Sequence, residues 1–311
     1  NTKKNEQKLT LRDDITPQII RIATSRLKSK TRPIKLCYYG EVVRKTGTML
    51  RPERQFLQVG SEIIGASSIY ADIEIITLAY QSLLKIGVKN ITIELTSKIF
   101  LEEVFSKFDD ISLLNSLKNY IKQKDTKNSL AIIKNDHDRA LLASLFAFTG
   151  EPDKFNKNID NLAVSDRSKN EIKNIKKIIS SIKLKKEDQI IYDFTDIDNK
   201  NYHNGIKFTF FAKNVRGEIA SGGRYTLKNN DNKEMAVGFT CFMDTVLRAS
   251  SFENMTKKIL IPFKTDQDIK NNLIKRNYNI YSFFEDASDI RKFANKYSCT
   301  HYLKNNKIKK I

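Results

Sequence analysis

The stretch Arg54–Gly65, RQFLQVGSEIIG, constrains the fold more than any other part of the chain. On an extended backbone successive side chains take opposite faces. Phe56, Gln58, Gly60, Glu62 and Ile64 therefore share one side, and Leu57, Val59, Ser61 and Ile63 take the other. The first side carries an amide and a carboxylate in apolar company. A carboxylate in such a setting needs a partner, so Glu62 calls for an internal arginine or a cationic ligand. A glycine inside a strand marks close approach by a ligand or another backbone. Gly60 lies between the two polar side chains, and the spacing predicts that it leaves room for a guest.

Four blocks are arranged around this strand. In the first, to about residue 98, TPQIIRIATSRLK has the helical spacing of Ile19, Ile22, Ala23 and Leu27, and IKLCYYGEVVR reads as a strand before the opening strand. A helix with Ile73, Ile76, Leu78, Leu83 and Leu84 follows, and then the alternating strand NITIEL. The second block, about 99–184, is helical and highly charged, with RALLASLFAF as a buried helix. The third returns to strands in QIIYDF, IKFTFFA and GEIASGG, and ends in MAVGFTCFMDTVLRAS, a strand running into a helix. The fourth, from about Lys257, reads β-α-β-α-β and predicts a small three-layer α/β unit whose last strand is THYLKNNKIKKI. Blocks one and three are expected to share a largely antiparallel sheet, since hairpin-like turns join their strands. The expected division is a core over 1–252, with the helical insertion at 99–184, and a C-terminal unit over 253–311.

Composition excludes several function classes. The 311 residues carry no apolar run near the roughly 18 needed for a membrane span, and NTKKNEQKLTLRDD has no apolar stretch that would make a secretory signal. Cys37, Cys241 and Cys299 are far apart and odd in number, which argues against a disulfide framework and a zinc site and for a reducing cytoplasm. The net charge of +19 invites a nucleic-acid reading. However, lysine and asparagine are spread along the whole chain, without the aromatic–basic interleaving of single-strand binders, so solvated surface lysines explain the charge.

Four polar constellations remain. In LTLRDDITPQ, Arg12, Asp14 and Thr16 alternate on an extended segment, with Thr16 a helix N-cap before Pro17. Arg44 ends the apolar strand of YYGEVVR, where its guanidinium can fork onto a carboxylate or phosphate, or simply form an edge ion pair. Gln58 and Glu62 form the third. The fourth is SGGRYTLKNN, where Gly222 and Gly223 fit either a hairpin turn or a close backbone approach ahead of Arg224 and Tyr225. There is no P-loop.

In order and spacing, LTLRDDITPQIIRIA, YYGEVVR, RQFLQVGSEIIG and SGGRYTLKNN…MAVGFTCFMDTVLR resemble the catalytic core of histidyl-tRNA synthetase, a class II aminoacyl-tRNA synthetase. That resemblance implies an α+β fold built on an antiparallel sheet flanked by helices. It also implies a pocket for histidine, in which Asp14, Thr16, Gln58 and Glu62 hold the amino acid and the Gln58–Glu62 pair addresses the imidazole. Arg44 matches an arginine that grips phosphate and carboxylate, and Tyr225 a tyrosine of the same pocket. Against the Arg-Gly-Leu-Asp-Tyr-Tyr stretch of the synthetases, Asp198 stands where the arginine falls, and Tyr202 and His203 match the tyrosine pair. A carboxylate there repels phosphate and removes transition-state stabilisation.

These departures, together with YHNGIKF and the short tail holding CTHYL, resemble the ATP phosphoribosyltransferase regulatory subunits, a non-charging paralogue family of histidine biosynthesis. The implied role is a non-catalytic subunit that binds a short-form catalytic phosphoribosyltransferase, activates it and senses L-histidine for feedback inhibition. Neither cofactor, metal nor tRNA is implied; self-association as a dimer is. The helix and strand that precede LTLR in that family are not found at the start of this sequence. An active synthetase and an RNA- or protein-binding module on the same scaffold are the rival readings.

Overall fold

The computed structural model describes residues 10–47, 52–197, 203–229, 232–250, 257–284 and 289–311. The chain divides into two compact units, Asn1–Ser251 and Phe252–Ile311.

In the first unit, α1 (Thr16–Thr24) leads into a hairpin of β1 (Ile34–Val43) and β2 (Gln55–Ile64), followed by α2 (Ile69–Lys85) and β3 (Ile91–Ser97). The helical block then runs through α3 (Ile99–Phe105), α4 (Ile111–Lys122), α5 (Thr126–Ile132), α6 (Asp136–Phe148), α7 (Pro152–Asn158) and α8 (Asp166–Ser181). The chain returns to the sheet in β4 (Gln189–Tyr192), β5 (His203–Ala212), β6 (Ala220–Asn229) and β7 (Asn232–Phe242), and α9 (Met243–Ala249) follows directly. The helices of the block start where short polar side chains can take up free backbone N–H groups. Asp110, Asp125, Asn135 and Ser165 cap α4, α5, α6 and α8 in turn.

The seven strands lie in the order β1-β2-β7-β6-β5-β3-β4, antiparallel throughout except for the parallel β3–β4 pair. Alternation divides the sheet between two cores. Ile63, Val237, Phe239, Phe208, Phe210, Ile93 and Leu95 join α2 and the helical block in one continuous cluster, in which Leu141, Leu142, Leu145 and Phe148 of α6 are buried. The opposite face packs Phe56, Ile64, Tyr225, Ala236 and Phe242 against Ile15, Ile19 and Ala23 of the α1 region. Gln58 and Glu62 point into this second face.

One open reading is decided and one local expectation is revised. Gly222 and Gly223 lie in the middle of β6 and not at a turn; a side chain at Gly222 would run into the carbonyl of Gly238 and the ring of Phe208. Thr16 is the first residue of α1, and Ile15 takes the N-cap position without a side-chain cap.

The second unit consists of β8 (Lys257–Pro262), α10 (Gln267–Lys275), β9 (Tyr278–Phe283), α11 (Ile290–Lys296), β10 (His301–Lys304) and β11 (Lys307–Lys310). Its sheet runs β11-β10-β8-β9, with parallel pairs at its centre. Leu273 of α10 packs on one face with Ile259 and Ile261, and Ala294 of α11 on the other with Leu260 and Phe283. The expected single last strand is instead a β10–β11 hairpin. Asn305 and Asn306 turn it, both with positive φ (51° and 56°), as two-residue hairpin turns require.

Candidate functional site

Hairpin register builds the site. Antiparallel pairing of β1 with β2 sets Tyr38 opposite Gly60 and Gly40 opposite Gln58. β7 sets Gly238 opposite Glu62 and Thr240 opposite Gly60. Residues directly opposite in a ladder share a face, so Glu62, Gly238, Gly223, Lys207 and Thr96 form a row across five strands. Two glycines floor the middle of that row. A side chain at Gly238 would occupy the place of the Glu62 carboxyl, so this close approach is required.

Glu62 is 2% exposed, and among the described residues its donors are two hydroxyls. Thr16 Oγ1 donates to Oε1 at 3.1 Å, and Tyr225 Oη donates to Oε2 at 2.9 Å. Among the described residues no cation pairs with it. Burial pushes its carboxyl up to about 7; the two hydroxyls partly offset this, and the charge of Asp14 adds to it. The sequence demanded an arginine or a cationic guest here, and the fold supplies neutral donors that satisfy the oxygens without supplying the charge.

Gln58 is also 2% exposed, and its Oε1 accepts the N–H of Ile15 at 3.2 Å, a bond shared with Asp14 Oδ1 at 2.8 Å. The pair thereby ties the start of α1 to β2. Freed from capping, the Thr16 hydroxyl lies 3.3 Å from Tyr38 Oη as well as bonding Glu62. The Tyr38 hydroxyl lies 2.5 Å from Thr240 Oγ1, so one hydroxyl chain runs from Tyr225 through Glu62, Thr16 and Tyr38 to Thr240. Burial raises the Tyr38 phenol far above its ordinary range, and the nearby Glu62 charge reinforces this.

The expectation that Gly60 leaves room for a guest is corrected. A side chain there would collide with the Tyr38 ring and the carbonyl of Phe239, so Tyr38 fills the space. The Glu62 carboxyl itself covers Gly238, and the His203 ring lies over Gly223. Arg44 is half-buried at the end of β1; its guanidinium lies 4.9 Å from the Phe56 ring centre and 5.9 Å from that of Phe242. That contact holds its charge on aromatic faces. His203 faces Tyr225 across β5–β6, and a side chain at Gly223 would come within 2.8 Å of its ring. Asp198 and Tyr202 lie outside the described residues. The structure thus brings Asp14, Thr16, Gln58, Glu62 and Tyr225 together directly, with His203 paired to Tyr225 and Arg44 on the aromatic pair behind.

Two features escaped the sequence reading. Tyr38 and Thr240 belong to the hydroxyl chain; pairing CYYG against QVG as a hairpin would have set Tyr38 over Gly60. Arg224, next to Tyr225, turns to the other face. There it pairs with buried Asp72 of α2 and donates to the carbonyls of Ala66 and Ser68 at 2.7 and 2.9 Å.

The histidyl-tRNA synthetase family model matches residues 2–246. An ATP phosphoribosyltransferase regulatory subunit from Rhodospirillum centenum is 30% identical over 311 residues, covering 99% of this chain and 79% of the relative. Among solved structures, an ATP phosphoribosyltransferase regulatory subunit/histidyl-tRNA synthetase from Bacillus halodurans aligns with a TM-score of 0.68 at 18% identity, over 91% of this chain and 77% of that one. The ATP phosphoribosyl transferase (HisG:HisZ) complex from Thermotoga maritima aligns at 0.60 and 15% identity, over 78% of this chain and 88% of that one. At those identities the two structures speak for the fold.

Proposed function

The chain belongs to the family of ATP phosphoribosyltransferase regulatory subunits, within the histidyl-tRNA synthetase fold, and on that premise we propose that its buried pocket senses L-histidine and performs no chemistry on it. The chain acts as a regulatory subunit of ATP phosphoribosyltransferase, in histidine biosynthesis. In the proposed mechanism it binds a short-form catalytic subunit, activates it, and passes the occupancy of its pocket on as feedback inhibition.

The observation that carries the sensing role is Glu62: fully buried, hydrogen-bonded only by hydroxyls, and facing a glycine floor. An imidazolium would supply the missing positive charge. An imidazole N–H would supply a further donor. Asp14 is the acid for the ammonium group, with Thr16 beside it, Gln58 and Glu62 address the imidazole, Tyr202, His203 and Tyr225 flank the ring, and Arg44 is the cation for the carboxylate. Sensing requires that histidine bind two states of the assembly unequally.

The absence of aminoacylation belongs to the same proposal. Asp198 stands where the resemblance puts a phosphate-stabilising arginine. A dimeric regulatory subunit in the cytoplasm completes the picture. Among the described residues no helix is long and apolar enough to cross a membrane.

Calorimetry with histidine, on the chain alone and assembled with a short-form catalytic subunit, tests the pocket. Saturable heat that Glu62→Gln abolishes is the expected result. No heat at millimolar histidine in either sample would refute sensing. Histidine-dependent pyrophosphate exchange would refute the non-catalytic reading.

A further inference from the structure

The row of facing residues that starts at Glu62 ends at Lys207 and Thr96, and there it opens into a cleft of about 480 Å³. One wall is the end of β3 with Lys98, a second is the α3–α4 pair, and the third is β5 with Asp196 and Ile197. We propose that this cleft binds a phosphomonoester with a flat apolar body, as a second small-molecule site beside the amino-acid pocket.

Three lysines line it from three separate elements, Lys98 ahead of α3, Lys118 on α4 and Lys207 on β5, together with the carboxylates of Glu102 and Asp196. All three lysines are partly buried, so their charges are less screened than those of surface lysines. Lys118 lies 5.3 Å from the ring centre of Phe105, and among the described residues no carboxylate pairs with it. Lys98 is 3.1 Å from Glu102, but Arg167 also reaches Glu102 at 2.9 Å. Lys98 can therefore turn to a ligand without stranding that carboxylate. Lys207 is held at 2.7 Å by Asp196, which fixes its position at the cleft floor.

A terminal phosphate presents three oxygens, and compact ammonium groups suit it as point-charge donors. The volume lies within the usual range for small-molecule sites, and a bare phosphate would fill little of it. Leu101, Phe105 and Ile197 give the lining an apolar part, beside Thr96, Glu102, Ser106, Asp196 and His203, and that part suits a flat organic body. A molecule seated there would bridge the helical block to β5, the strand that carries His203. That gives the block a role beyond packing, and it gives an effector a physical path to the amino-acid pocket.

Calorimetry on the full chain at low salt, with adenosine monophosphate, inorganic phosphate and citrate as probes, tests the proposal. Adenosine monophosphate should bind saturably, with inorganic phosphate at least about tenfold weaker and citrate silent. Lys118→Gln should weaken the nucleotide by about tenfold or more, with Lys98→Gln as a second, independent variant. Glu62→Gln should leave nucleotide binding unchanged, so that failure here is separable from failure of the histidine pocket. No saturable heat up to about 5 mM nucleotide, or two lysine variants that bind like the parent, would overturn the site. Citrate binding as tightly as the nucleotide would overturn the phosphate assignment, and phosphate doing so would overturn the apolar contribution.

Discussion

Glu62 carries a conflict that a single substitution exposes. Its carboxyl titrates near 7 in the folded chain against an ordinary value of 4.5. Between those values the folded state keeps a proton that the unfolded state releases. Stability from this group is therefore greatest at low pH, falls as pH rises through the window, and is level above about 7. Glu62→Gln keeps an acceptor for one of the two hydroxyls, turns an N–H donor to the other, and has no charge to bury. The parent should lose on the order of 3 kcal/mol more than the variant between these limits, read from urea midpoints across pH. Parallel curves would mean that Glu62 is not a buried acid. Gly238→Ala probes the same atom sterically: the new methyl would take the place of the Glu62 carboxyl. Histidine affinity should then fall by about a hundredfold or more in calorimetry, with the fold retained by circular dichroism. At this scale the sequence was informative about identity and less so about neighbours. Alternation alone put Gln58 and Glu62 on one face. That Tyr38 fills the space over Gly60 depends on strand register, which one strand cannot reveal.

Elements are tied together by polar contacts that periodicity does not predict. Arg224 crosses from β6 to the N-terminal turn of α2, binding Asp72 and two loop carbonyls in a buried setting. Burial raises the Asp72 carboxyl and the guanidinium holds it down. Removing one partner of such a pair strands the other, so Arg224→Met should cost about 3–5 kcal/mol in urea unfolding. Adding Asp72→Leu should restore much of it. A loss under about 1 kcal/mol for the single variant would show that the pair does not anchor α2. The helical character of the insertion was legible, with RALLASLFAF as one buried helix, and so were strands of the sheet from their apolar alternation. The caps at Asp110, Asp125, Asn135 and Ser165, which divide the insertion into separate helices, were not read. The C-terminal hairpin was not, because Asn305–Asn306 sits inside a lysine-rich run whose alternation continues across the turn. Gly222 and Gly223 were open to two readings for a related reason: the same residues serve tight turns and crowded strand crossings.

For the whole molecule, composition excluded more than it identified. A charge of +19 spread over both units favours neither RNA nor a protein partner by itself, and the helical block reads as packing until its cleft is considered. The family became legible through the order of four short polar motifs, whose residues lie far apart in the chain and meet only in the fold. Control of a partner enzyme through the proposed histidine pocket can be read in one assay. ATP phosphoribosyltransferase activity is measured for a short-form catalytic subunit mixed with this chain, with and without histidine, for the parent and for Glu62→Gln. Both chains should activate the partner, histidine should suppress activity with the parent, and the variant complex should need at least about tenfold more histidine. Equal sensitivity to histidine in the two complexes would contradict control through this pocket.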